Sequence, residues 1–258
     1  MKIGITSYLL KVCDGEIVNS IPKLADLGFD FVEIVSRNPN KINTEELQDV
    51  LKSNIPAYAV CAWCDYSIQN PAHDSMHIRR SYKRYIKDLI DFAENIGVRI
   101  VVTSAGTIQG ISRDKAYEYC AKCLAHLGEY SATKNVKIAV EAVNRYVTNF
   151  INTATQALEL IRIVDNPNVG IALDTFHMNI EEKNYENSLN KAGKNLFHMH
   201  LADNNRLAPS LGHIDFDKIV INLKNNDYQG NLSLEIQTAE HPLEEAKLGL
   251  NYIRSLLA

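Results

Sequence analysis

Apolar residues alternate along this chain between two textures. Stretches with apolar positions three and four apart stop at a Gly or Asn, and short runs rich in Val and Ile follow. Ala25-Asp26-Leu27-Gly28 leads into Phe29-Asp30-Phe31-Val32-Glu33-Ile34, and Asn95-Ile96-Gly97 into Arg99-Ile100-Val101-Val102. Lys134-Asn135 leads into Val136-Lys137-Ile138-Ala139-Val140, and Asn166-Pro167-Asn168 into Val169-Gly170-Ile171-Ala172-Leu173. Gly and Asn tolerate the left-handed residue that ends a helix. Runs of β-branched residues with few charges predict strands buried on both faces, hence parallel. Eight such runs begin near Lys2, Phe29, Pro56, Arg99, Val136, Val169, Leu196 and Asn231. The clearest helix runs from about Ser75 to Ile96, where Tyr82, Tyr85, Ile86, Leu89, Ala93 and Ile96 share one face. Pro242 to Leu257 forms the last. Eight strand–helix alternations in ~250 residues predict an α/β fold, a (β/α)8 TIM barrel occupying residues 1–258 as one domain. A doubly wound sheet would carry a Gly-rich first turn. Gly4-Ile5-Thr6-Ser7-Tyr8 is not G-x-G-x-x-G, and no phosphate-binding G-x-x-x-x-G-K-[ST] occurs.

Composition narrows the function. Of 258 residues 46% are apolar and 22% charged, with a net charge of −4 and no long Lys/Arg run. That balance argues against nucleic acid or an anionic membrane as partner. No stretch approaches the ~18 consecutive apolar residues of a membrane span. The N-terminus lacks a signal peptide's apolar core, and an odd count of five cysteines favours free thiols. Both point to a cytoplasmic protein.

In such a barrel, chemistry sits at the C-terminal ends of the strands. Strand five ends Ile138-Ala139-Val140-Glu141, strand six Ile171-Ala172-Leu173-Asp174, strand seven Leu196-Phe197-His198-Met199-His200 and strand eight Leu232-Ser233-Leu234-Glu235. One acid at a strand end is commonly a solvated residue or a helix cap, and Asp174-Thr175 suits a cap. Four potential ligands on neighbouring strands are a different matter. Three carboxylates at one mouth repel unless protonated or compensated. Three oxygens and one imidazole suit Mn²⁺, Mg²⁺ or Co²⁺ better than a thiolate-loving zinc site.

Asp174-Thr175-Phe176-His177-Met178-Asn179, His198-Met199-His200-Leu201-Ala202-Asp203-Asn204-Asn205-Arg206 and Gly212-His213-Ile214-Asp215-Phe216 resemble the xylose-isomerase-like sugar epimerases. The D-tagatose 3-epimerase type, which includes keto-inositol epimerases, is the most similar group. Glu141-Ala142-Val143-Asn144-Arg145-Tyr146 and Ser233-Leu234-Glu235 belong to the same pattern. The resemblance implies one divalent metal ion, Mn²⁺ foremost with Co²⁺ or Mg²⁺ as alternatives, held by Glu141, Asp174, His200 and Glu235. It implies a small sugar substrate contacted by His177 and Arg206, and a homo-oligomer, dimer or tetramer. The implied reaction inverts C3 of a ketose or keto-inositol through a cis-enediolate. Inversion needs a proton to leave one face and return on the other, so Glu141 and Glu235 are the expected catalytic acid/base pair. Arg206 would then set positive charge beside the developing enediolate.

Other residues divide between structural and functional readings. His198 shares a strand face with His200 and is expected to be a hydrogen-bonded interior residue. His213 is either a neighbour of the site or a loop residue. Tyr8 and Trp63 either line the sugar site or pack the rim. Cys61-Ala-Trp-Cys64 and Cys120-Ala-Lys-Cys123 suggest a zinc site only superficially. The first pair is expected to face opposite sides of a strand, and the second follows helical core spacing. The sequon Asn231-Leu-Ser233 falls in a predicted strand and carries no weight. Two positions depart from the epimerase pattern. Val147 stands where a substrate-contacting glutamate is usual, and Ser210 follows Pro209 where a glycine is expected.

Three other functions remain comparators: an aldose–ketose isomerase on the same scaffold, an apurinic endonuclease and a non-enzymatic sugar-binding barrel. The nuclease would need extra histidines at strands three and four. Those strands end instead in Trp63-Cys64-Asp65 and Thr103-Ser104-Ala105-Gly106. Its DNA substrate also calls for basic charge that this chain lacks.

Overall fold

The computed structural model describes residues 1–11, 14–237 and 241–258. Eight strands, β1 (Ile3–Thr6), β2 (Phe31–Ser36), β3 (Ala57–Ala62), β4 (Ile100–Ser104), β5 (Lys137–Glu141), β6 (Val169–Asp174), β7 (Leu196–Leu201) and β8 (Leu232–Leu234), pair in chain order. All neighbours are parallel, and β1 closes the barrel on β8 through Ile3–Leu232 and Gly4–Ser233. Helices α1 (Ile17–Ala25), α2 (Thr44–Ser53), α3 (Met76–Asn95), α4 (Arg113–Thr133) and α5 (Ala154–Val164) each follow one strand. After β6 come two helices, α6 (Thr175–Glu181) and α7 (Tyr185–Ala192), before α8 (Phe216–Asn225) and α9 (Pro242–Leu257). The (β/α)8 reading holds, with α6 and α7 sharing one crossover. No helix among the described residues is long and apolar enough to cross a membrane.

The predicted stops act as expected at Gly28, Gly97 and Asn135, whose φ angles are +83°, +75° and +53°. After α5 the left-handed residue is Asp165 (φ +49°) rather than Asn166. Pro167 biases the residue before it towards extended backbone, so the turn moves one position upstream.

Side chains alternate across each strand, which splits the core in two. The larger part lies between strands and helices and includes Ile5, Ile34, Val60, Val101, Ile138 and Leu173. A smaller cluster fills the barrel: Val35, Ala59, Cys61, Ile100, Val102, Ala139 and Ala172. Stepping two residues along a strand from this lining reaches Glu33, Glu141 and Asp174. The strand pleat therefore brings the polar groups to the barrel axis.

Candidate active site

A cavity of about 320 Å³ lies past the C-terminal strand ends, with Tyr8, Trp63, Glu141, Val147, His177 and Glu235 among its walls. One ligand atom each from Glu141, Asp174, His200 and Glu235 lies within 4.8 Å of the others. Glu141 and Asp174 end β5 and β6, His200 is the penultimate residue of β7, and Glu235 follows β8. His200 Nδ1 is 3.1 Å from Glu141 Oε1 and 3.2 Å from Glu235 Oε2. Asp174 joins the cluster and caps a helix at once. Its Oδ1 accepts from the Phe176 N–H at 2.9 Å at the start of α6, while its Oδ2 contacts Arg206 Nη1. The cap and site readings of Asp174 use different oxygens.

Arg206 reaches the cluster from the loop after β7. Asp203, fully buried, organises that loop by accepting backbone N–H groups from Asn204, Ser210, Gly212 and Ile214 at 2.9–3.2 Å. A Cβ at position 212 would come within 2.3 Å of Asp203 Oδ1, so only glycine fits there. Ser210, at the position departing from the pattern, adopts φ +85°, a conformation glycine takes without strain. Arg206 itself sits at φ +64° and is held by its carbonyl, which accepts from Gln237 N at 2.8 Å. Strained residues of this kind persist where the surroundings over-determine them.

Burial and charge work against each other across the cluster. Burial would lift the Asp174 carboxyl, but the Arg206 guanidinium, His177 and His200 hold it below its usual value. Glu235 goes the other way: burial, with Glu141 and Asp174 adding repulsion, pushes it up to about 8 against Arg206 and His200. Burial would lower His200, yet Glu33 and Glu235 raise it well above the usual histidine range. Arg206 Nη2 lies 2.7 Å from Glu235 Oε2 but outside hydrogen-bond geometry, leaving that buried oxygen without a donor. Three convergent carboxylates, one of them with an oxygen lacking any donor, and the His200 imidazole form a donor set that fits a divalent cation.

His177 sits one turn into α6 and lines the cavity. Asn144 Oδ1 accepts from Tyr146 N at 2.9 Å, which orients the amide so that Nδ2 donates to His177 Nδ1 at 2.8 Å. The proton is therefore on Nε2, 3.9 Å from Asp174 Oδ2. Burial lowers the His177 pKa and favours this neutral ring. Tyr8 and Trp63 line the cavity together, ring centroids 4.9 Å apart, and half-exposed Val147 lines it too.

Some expectations need correction. Cys61 and Cys64 do not face opposite sides. Both line the cavity, because β3 ends at Ala62 and strand alternation no longer governs Cys64. His213 is exposed and takes no part in the cluster. Cys120 and Cys123 are buried on α4, as their spacing predicts, and Cys13 lies outside the described residues. Glu33 was missed. Fully buried in β2, its carboxylate lies 2.8 Å from His198 Nε2 and 3.0 Å from His200 Nε2. The available signal was a lone carboxylate in the otherwise uncharged run Phe31-Val32-Glu33-Ile34-Val35, two positions from inward-facing Val35.

Known proteins bear on this geometry. The family described as Xylose isomerase-like TIM barrel matches residues 21–256. The chain is 28% identical over 229 residues to L-ribulose 3-epimerase of a Methylomonas species, spanning 86% of this chain and 78% of that protein. It is 29% identical over 245 residues to 3-dehydro-D-guloside 4-epimerase of Escherichia coli, spanning 90% and 92%. The solved structure of D-psicose 3-epimerase from Clostridium cellulolyticum with D-tagatose superposes with a TM-score of 0.90 at 26% identity, over 100% of this chain and 99% of that one. The matched segment carries the four convergent side chains and the loop of Arg206, and the chain belongs to the xylose isomerase-like TIM-barrel family.

Proposed function

We propose that this protein is a divalent-metal-dependent epimerase that inverts C3 of a ketose or keto-inositol. The observation carrying the reading is the convergence of Glu141, Asp174, His200 and Glu235 within 4.8 Å beside a sugar-sized cavity. Those side chains would hold one Mn²⁺, with Co²⁺ or Mg²⁺ as alternatives, and such an ion supplies Lewis acidity to a carbonyl and its neighbouring hydroxyl. The remaining work falls to the protein. Glu141 and Glu235 approach from β5 and from the end of β8. One takes the weakly acidic proton beside the carbonyl and the other returns a proton to the opposite face of the cis-enediolate. The Arg206 charge lies beside the negative intermediate, and the His177 Nε2–H is available to a sugar hydroxyl. Tyr8 and Trp63, which line the cavity, offer apolar contact to the sugar's C–H groups. The unpaired thiols of Cys61, Cys64, Cys120 and Cys123 support a cytoplasmic location. A dimer or tetramer, read by sedimentation equilibrium, completes the proposal.

Val147 favours a second reading. It removes a carboxylate from the cavity wall, and one relative matched over 92% of its length is named for 4-epimerisation of a dehydro-guloside. The same acid/base pair would then act on a ring carbon next to a keto group. Incubation in D2O with free ketoses, keto-inositols and keto-glycosides, followed by NMR of recovered sugar, separates these possibilities. Deuterium at C3 supports the first reading and at C4 the second; label at C1 alone marks an aldose–ketose isomerase. Absence of label from every compound would defeat the epimerase proposal.

A further inference from the structure

His200 presents its two ring nitrogens to different surroundings. Nδ1 faces Glu141 and Glu235, whereas Nε2 faces Glu33, 3.0 Å from Oε1 and 3.2 Å from Oε2. A neutral imidazole carries one proton, so Nδ1 can offer its lone pair only if Nε2 holds the proton. An ionised carboxylate accepts and cannot donate. At fully buried Glu33, no solvent is available to substitute for it.

Glu33 is itself braced. His198 Nε2 lies 2.8 Å from Glu33 Oε2, and the His198 ring packs edge-on against His200, centroids 4.6 Å apart. His198 Nδ1 has no partner, as expected if the single proton of that ring is spent on Glu33. The pairing of β2 with β3 shifts register between Val32 and Glu33, a local irregularity of the kind that re-aims a side chain. Sequence spacing gives no hint of this array, because Glu33 and His200 are 167 positions apart.

We infer that Glu33 is a positioning residue of the metal centre: it holds His200 as the Nε2–H tautomer with Nδ1 turned to the ion, while His198 braces the carboxylate. This rests on the metal reading above. Glu33→Gln keeps the volume but replaces an acceptor oxygen with a donor amide, setting N–H against N–H at one histidine. Carboxylate partners of ligating histidines typically contribute roughly 10- to 100-fold in metal affinity. Two measurements on the full chain test the inference. In long-range ¹H–¹⁵N spectra of the Mg²⁺-loaded protein, His200 should be protonated at Nε2, and E33Q should show mixed tautomers. By calorimetry, E33Q should bind Mn²⁺ about 10- to 100-fold more weakly, at one ion per chain in the wild type. If E33Q does not fold, Glu33→Asp, which withdraws the carboxylate by one methylene, carries the same expectation. Wild-type affinity in the variant, an Nδ1–H His200 in the loaded wild type, or two ions per wild-type chain (making Glu33 a ligand) would each overturn the inference. If the wild type takes up no Mn²⁺, Co²⁺ or Mg²⁺, the metal reading fails. His198, which is not among the four proposed ligands, still decides for Glu33: an Nε2–H lost in E33Q supports the brace, and an unchanged ring overturns it.

Discussion

Metal uptake should eject protons from this site, in a number that depends on pH. Glu235 Oε2 is buried without a hydrogen-bond donor, and one carboxylate oxygen each of Glu141, Asp174 and Glu235 lies within 4.8 Å of the others. At an effective dielectric of ~20, each such carboxylate pair repels by about 3.5 kcal/mol, which adds to the cost of burial. Arg206 and His200 offset only part of this, and Glu235 titrates at about 8. At pH 7 it is therefore about 90% protonated, and at pH 8.5 about 24%. The carboxylates of Glu33 and Glu235 raise His200 well above its usual range, which favours its doubly protonated ring in the metal-free site. A cation needs both groups bare, so binding should release more than one proton at pH 7, and the Glu235 share should fall by about 0.7 proton by pH 8.5. Calorimetry of Mn²⁺ binding in buffers of different ionisation enthalpy reads this number as the slope of observed heat against buffer heat. Release of fewer than one proton at pH 7, or no decline by pH 8.5, would refute the electrostatic account. The same groups set the stability of metal-free protein. Both folded pKa values lie above their unfolded ones, so their contribution is present at low pH and lost as pH rises. The melting temperature without metal should fall between pH 6.5 and 8.

Further outcomes follow from individual residues. Glu235→Gln should lower turnover by about 10²- to 10⁴-fold, because it removes one of the acid/base pair, and should also weaken Mn²⁺ binding; deuterium exchange rate and calorimetry read the two effects. Ser210→Gly should raise stability by up to about 1 kcal/mol, since φ +85° strains serine and not glycine, which thermal melting of the metal-free protein measures. Thr153→Ala removes the capping box at the start of α5, where Thr153 and Gln156 satisfy each other's backbone N–H groups, and should cost about 1 kcal/mol in denaturant unfolding. Val147→Glu restores a carboxylate to the cavity wall and should shift kcat/KM among free ketoses relative to keto-glycosides, with Mn²⁺ affinity unchanged.

Much of the barrel is written in local pattern. Buried parallel strands need continuous apolar runs, and helices that change direction need left-handed stops at Gly28, Gly97 and Asn135, so both leave marks over a few residues. The ligand candidates were legible for the same reason: Glu141, Asp174, His200 and Glu235 each terminate an apolar run, and a barrel delivers all strand ends to one rim. Other features depend on approach between distant segments. Closure of the barrel sets β2 across the interior from β7 and makes Glu33 a partner of His198 and His200, although its neighbours in the chain mark it only as a lone carboxylate in an apolar run. The close contact of Gly212 with Asp203, the unusual backbone of Ser210, and the two oxygens of Asp174 serving different roles arise from how one loop folds over the strand ends. Secondary structure and the cast of charged residues follow from short-range periodicity. Which nitrogen faces the carboxylates, which acid keeps its proton and which oxygen lacks a donor are matters of distance and burial, and those exist only once the chain has closed on itself.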